Sequence, residues 1–165
     1  MKRSLARGIG IAVALLLGGA GLIGAQEIGV REVKDKTLAA AEFLSEAGEE
    51  GLAAIGDLEG EWAREPYVFV YNLQGAIIGH PNPRLIGKNF MGVKDVKGKM
   101  FPAEFVLVAR SEIGRGWVDY WWPRLSGGQP EQKVSYIARV PGRDMLVGAG
   151  IYGFDKAAAL EAAGD

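Results

Sequence analysis

Three strand-like stretches follow one another near the end of this chain, and their order limits the fold more than any other feature. "GWVDYWWP" (116–123), "QKVSYIARV" (132–140) and "MLVGAGIY" (145–152) are dense in β-branched and aromatic residues, the types that fit a pleated, half-buried surface. "PGRD" (141–144) is a turn between the last two, and "RLSGGQPE" (124–131) reads as a flexible loop between the first two. Sequential strands joined this way pair antiparallel. A further pair lies upstream: "YVFVY" (67–71), the turn "NLQG" (72–75) with glycine where positive φ is needed, and "AIIGH" (76–80). Period-two alternation puts Tyr67, Phe69 and Tyr71 on one face of the first strand and Val68 and Val70 on the other.

Helical patterning flanks these strands. Across 27–47, Val30, Val33, Leu38, Ala41 and Leu44 recur on one broad face, Glu32 and Lys36 form an i,i+4 pair on the wet side, and Gly48 is a natural C-cap. A shorter helix follows, with Leu52, Ile55 and Leu58 inward. Residues 81–101 are irregular, because Pro81 and Pro83 forbid regular pairing, and "DVKG" (95–98) is a turn within them. Residues 102–113 suit a helix with Pro102 at its first position, and "FDKAAALEAA" a short terminal one. The expected fold is α+β: an antiparallel five-stranded sheet in a single layer with a long N-terminal helix packed on it.

The first 25 residues stand apart. Lys2, Arg3 and Arg7 precede a stretch without charge from Gly8 to Gln26, the pattern of an export signal (1–25) cleaved after Ala25. The run is also about long enough to act as an uncleaved membrane anchor. Residues 26–62 then form the helical region, 63–153 the sheet and its pocket, and 154–165 a C-terminal helix and tail. Without Lys2, Arg3 and Arg7 the 19 basic groups fall to 16 against 20 acidic ones. A net charge of −4 does not attract nucleic acid.

With no cysteine, disulfides, thiolate catalysis and iron–sulfur clusters are excluded. One histidine, His80, leaves no second imidazole for a metal, and the chain has neither a phosphate-cradling glycine loop nor a Ser–His–acid elbow. No cofactor is expected, and enzymatic use of His80 is the weakest of three functional readings. The other two are reversible binding of a small ligand and a structural or accessory interaction module without one.

The stretches "FLSEAGEEGLAAI", "YVFVYNLQGAIIGHPNPRLIGKN", "GRGWVDYWWP", "KVSYIARV" and "MLVGAGIY" occur in the order seen in single Cache domains, and the chain from about Glu27 to Tyr152 resembles that family of PAS-like extracytoplasmic sensors. The resemblance implies a PAS-like sheet with a pocket on one face, a small organic ligand, often a carboxylate, and a role in chemotaxis or signal transduction. The chain ends at Asp165, so a separate membrane-bound receptor or sensor kinase is the expected partner, with the N-terminal helix a candidate homodimer seam.

A carboxylate pocket needs a cation, neutral donors and apolar walls. The strands at 116–140 hold such groups. If Trp122 faces Lys133, then Tyr120 faces Ser135 and Val118 faces Ile137, all on one side of the sheet. A one-residue slip pairs Tyr120 with Tyr136, and Lys133 and Tyr136 share a face only across a bulge. Tyr71, His80, Lys88, Tyr120, Trp122, Lys133 and Tyr136 are therefore the candidate ligand-binding residues. His80 has two readings: its ring bonds a neighbouring carbonyl and locks the "HPNP" turn, or it donates to a bound carboxylate, with affinity rising as pH falls through the histidine range. Lys88 and Asn89 would close the lip.

Overall fold

A computed structural model describes residues 19–164, with side chains from Gly29 onward. Residues 1–18, most of the expected export signal, lie outside the described residues. Helix α1 runs from Gly19 to Ala47, past the expected cleavage point. Among the described residues no helix is long and apolar enough to cross a membrane. After α1 come α2 (Leu52–Gly56), β1 (Val68–Asn72), β2 (Ile77–Gly79), α3 (Phe101–Arg110), β3 (Arg115–Arg124), β4 (Gly127–Arg139), β5 (Met145–Tyr152) and α4 (Lys156–Ala163).

The strands form one antiparallel sheet in the order β2-β1-β5-β4-β3. Its two faces carry different chemistry, as alternation dictates. Val68, Val70, Trp117, Val134, Tyr136, Ala138, Val147 and Ala149 face α1 and bury Val30, Val33, Ala41 and Leu44 of that helix. The Thr37 hydroxyl ties the helix to the sheet centre, donating to Val33 O at 2.8 Å and accepting from Ala149 N–H at 3.1 Å. Gly48 ends α1 at φ +60°, where the Arg143 guanidinium donates to the terminal carbonyls of Ser45 and Glu46.

The second face is not bare, contrary to the single-layer expectation. Phe69, Tyr71, Val118, Tyr120, Ile137 and Leu146 are covered by α3 and the irregular segment 81–100, through Phe90, Phe101, Phe105 and Val106. So many rings on one face need a second apolar cover, and α3 supplies it.

Two other expectations are corrected. Leu58 is 67% exposed, because α2 stops at Gly56 before another turn can carry it inward. Lys36, in the field of Glu32 on the same helix, also donates to the Arg64 carbonyl at 2.8 Å. Most of the supposed flexible loop 124–131 is strand, since β3 and β4 form one long hairpin turning at Leu125 and Ser126. Gly127 and Gly128 take φ of +88° and +108°, which lets the ribbon close tightly, and Arg124 clamps Glu131 across it at 2.7 and 3.0 Å.

This closure sets the register. Tyr120 lies opposite Lys133, Trp122 opposite Glu131 and Trp117 opposite Tyr136. The Trp122–Lys133 pairing is displaced by two residues, which preserves every face, and the one-residue slip does not occur.

Candidate functional site

The site lies between the sheet and α3. Tyr67, just before β1, with Phe69 and Tyr71 forms one wall, Phe101 and Phe105 of α3 the roof, and Tyr120 and Trp122 of β3 the far wall. Ile77, His80 and Leu85 close the end where the chain leaves β2. The rings interlock: Tyr120 stacks on Phe101 at 4.4 Å and 9°, and Phe105 meets Phe69 at 5.5 Å. The volume open to the centre of a water is about 10 Å³, room for roughly one molecule.

Lys133 is the anomaly. It projects from β4 onto this face, fully buried, and its Nζ has no hydrogen-bond partner among the described residues. Rings surround the ammonium: Tyr67 at 3.9 Å, Tyr152 at 4.9 Å and Phe69 at 5.9 Å from their centroids. Cation–π attraction offsets part of the desolvation cost. Burial lowers the Lys133 pKa to about 7, with Glu65 opposing the fall and Arg124 adding to it.

Two glycines make room for this arrangement. A side chain at Gly150 would collide with Ser135 Oγ and lie 2.7 Å from Lys133 Cε, and one at Gly148 would lie 2.5 Å from Phe69 Cζ. The Lys133 stem and the Phe69 ring thus lie over bare backbone of β5. Ser135 and Tyr120, both buried, share a hydrogen bond of 3.0 Å.

His80 is 5% exposed. Its Nδ1 accepts from the Asn82 backbone N–H at 2.8 Å, so the neutral ring carries its proton on Nε2. The ring therefore does lock the turn, as an acceptor from an amide where a carbonyl partner was expected. It also meets Tyr67 edge-on at 5.3 Å and lines the cavity. Burial, then the Lys133 charge, lowers its pKa to about 4. In the ligand-free protein the ring is therefore neutral through the ordinary histidine range.

Of the residues singled out in sequence, Tyr71, His80, Tyr120 and Trp122 line the cavity and Lys133 lies against its Tyr67 wall. Two do not join them. Tyr136 sits on the opposite face, packed edge-on against Trp117 at 4.9 Å, because β4 has no bulge between it and Lys133. Lys88 is exposed, and its backbone, not its side chain, is engaged: Lys88 O accepts from Ile77 N–H at 3.0 Å. Ser135, named only as the residue facing Tyr120, lies on the same face; Phe101, Phe105 and Leu85 were not singled out. The expected helix over 102–113 included Phe105 but left Phe101 in the irregular segment, whereas α3 starts at Phe101 and ends at Arg110, and the sequence did not say which space it roofs.

An antiparallel PAS-like sheet, a long helix on one face and an aromatic chamber beside a buried cation on the other define a sensor domain. The chain belongs to the Cache domain family, whose profile matches residues 52–155. The sensor histidine kinase MctS of Rhizobium johnstonii is 32% identical over 93 residues, which is 56% of this chain and 20% of the kinase, so the match spans about a fifth of that relative. A solved structure described as the periplasmic sensor domain of a chemotaxis protein matches at TM-score 0.58 and 29% identity, covering 81% of this chain and 92% of that one. A methyl-accepting chemotaxis protein from Vibrio parahaemolyticus shares the fold at TM-score 0.63 and 21% identity, covering 80% and 91%. A Cache chemosensory domain described for carboxylic acid recognition does so at 0.58 and 24%, covering 81% and 90%.

Proposed function

We propose that this Cache domain is an exported sensor module that reversibly binds a short organic acid anion, without chemistry. Its output passes to a membrane-bound sensor kinase or chemoreceptor. The observation that carries the reading is the Lys133 ammonium, buried without a hydrogen-bonding partner among the described residues, beside an aromatic chamber. A buried cation is costly unless something pairs with it, and a ligand carboxylate would supply that pairing. Tyr120 and the Nε2–H of His80 offer neutral donors, and the rings suit a short alkyl tail. Carboxylic acid recognition is the described property of one structural neighbour, which agrees with this choice. Residues 1–25 serve export to the periplasm or remain as an anchor, and α1 provides a seam for pairing two copies.

A second reading rests on the chamber's volume. With room for about one water it is nearly filled by its own side chains, as an accessory module without a ligand would require. On that reading Lys133 gains nothing over methionine. Thermal-shift titration with short mono- and dicarboxylates separates the two. Binding raises the melting temperature by mass action in the wild type and not in Lys133→Met. A wild type that ignores the whole panel overturns the sensing reading.

A further inference from the structure

The segment covering the chamber has a charge opposite to that of the chain as a whole. Residues 81–100 carry Arg84, Lys88, Lys94, Lys97 and Lys99 against the single acid Asp95, in a chain whose formal net charge is −1. The segment is fixed in place rather than loose. Gly87 N–H donates to Ile77 O at 2.8 Å and Phe90 N–H to Gly75 O at 2.8 Å, Leu85 lines the chamber, and Phe90 packs on Tyr71 and Trp122.

The nearby acids are already engaged. Asp119 and Glu104 both bind Lys99, at 2.8 and 2.9 Å. Asp95 accepts from the backbone N–H groups of Lys97, Lys99 and Trp121. Lys97 lies over the Trp121 ring at 4.9 Å. Arg84, Lys88 and Lys94 remain exposed, and among the described residues none of them forms an ion pair.

We infer that Arg84, Lys88 and Lys94 form an electrostatic funnel over the chamber that draws anionic ligands toward Lys133, so that the strap sets the rate of capture and Lys133 the strength of holding. This rests on the proposed function. Fixed charges of one sign around an opening raise the local concentration of the opposite ion and the on-rate, and salt screens the effect. The charge of the whole chain would repel an anion. Where the cations stand, not how many there are, then decides the rate.

The test compares three full-length proteins, with propionate as the probe and association and dissociation rates read from NMR line shapes at low and high salt. The first is wild type. The second is Arg84→Gln/Lys88→Gln/Lys94→Gln. The third is Arg31→Gln/Arg64→Gln/Lys156→Gln, which has the same net charge but loses its cations elsewhere, Arg31 and Arg64 lining the groove beside α1. The funnel predicts that wild-type association slows as salt rises. It also predicts that the strap variant associates about tenfold more slowly at low salt, the lower end of the steering range, with dissociation unchanged. The control variant should stay near wild type. Equal slowing in both variants, or association that quickens with salt in the wild type, overturns the funnel while leaving binding intact. No binding of propionate or of any other short carboxylate by the wild type overturns the sensing reading and the funnel with it.

Discussion

The Lys133 ammonium stands 3.9 Å from the centre of the Tyr67 ring, with no hydrogen-bond acceptor among the described residues. An aromatic face holds a cation by its quadrupole but does not satisfy its three N–H donors. Replacing Lys133 by methionine therefore stabilises the ligand-free protein. About 1–4 kcal/mol is the range seen when buried ion pairs give way to apolar residues of similar volume, and an unpaired charge has no ion-pair attraction to lose. Chemical denaturation of the two proteins near pH 7 measures this, and a Lys133→Met protein less stable than wild type refutes it. The same variant should lose carboxylate binding, so stability and function move in opposite directions.

The depressed Lys133 pKa gives stability a definite pH dependence. In the native state the ammonium loses its proton near pH 7, and in the unfolded chain near the ordinary 10.5. Between those values the unfolded state binds more protons, so stability rises with pH, by at most about 1.4 kcal/mol per unit. The buried tyrosines Tyr67, Tyr71 and Tyr120, whose pKa values burial raises, oppose this only above about pH 10, where unfolded tyrosine ionises. Denaturation midpoints followed from about pH 6 to 9.5 should climb in wild type and stay flatter in Lys133→Met. Parallel curves would remove Lys133 as the cause.

Ligand affinity should run the other way. A carboxylate needs the charged ammonium, so affinity is flat below about pH 7 and falls by up to tenfold per unit above it. Binding above pH 7 also takes up a proton. Calorimetry near pH 8 in buffers of different ionisation enthalpy should show uptake approaching one proton per ligand. His80, held neutral with a pKa of about 4, does not contribute in this range.

The faces of the sheet were legible in the sequence, and the contacts across them were not. Alternation alone grouped Tyr120 with Trp122 and Lys133 with Ser135; that the two groups share a side followed from the assumed Trp122–Lys133 pairing, which survives any even shift of register but not a one-residue slip. The actual Tyr120–Lys133 pairing depends on how tightly the hairpin closes at Gly127 and Gly128, which the residues between the strands do not state. Tyr136 was misplaced because a bulge was invoked to bring it beside Lys133. Lys88 was misplaced because the segment it belongs to pairs through its backbone. The pocket roof was illegible for a different reason: Phe101 and Phe105 are far in sequence from the strands they cover, and an apolar helical face does not say what it packs on.

His80 performs two tasks that substitution can separate. Asparagine places an acceptor near the position of Nδ1, so His80→Asn should keep the bond to Asn82 N–H and most of the stability while losing the Nε2 donor and ligand affinity. Phenylalanine keeps a ring against Tyr67 but leaves the Asn82 amide unpaired, at a cost of about 1 kcal/mol. Affinity measured beside thermal stability in both variants decides the matter. If His80→Asn binds as well as wild type, the imidazole is structural alone.

Gly150 is the most sensitive backbone position in the site. It lies opposite Ser135 in the β4–β5 pair, and a Cβ there would meet Ser135 Oγ, Lys133 Cε at 2.7 Å and the Val134 carbonyl at 2.7 Å. The lysine stem could swing aside, but the carbonyl belongs to a central strand and cannot move without breaking ladder bonds. Gly150→Ala should therefore cost about 1–3 kcal/mol and lift the ammonium from its place behind Tyr67, abolishing binding. Gly116→Ala on β3 is the matched control, since its Cβ would come no closer than 3.5 Å, to Val108 Cγ1, in ordinary contact. It should fold and bind as wild type does. Lys133→Ala added to Gly150→Ala should recover part of the lost stability but none of the affinity, because the carbonyl clash remains and the cation is gone. Should Gly150→Ala bind a carboxylate with unchanged affinity, the position of the Lys133 stem over bare β5 backbone would have no bearing on ligand capture.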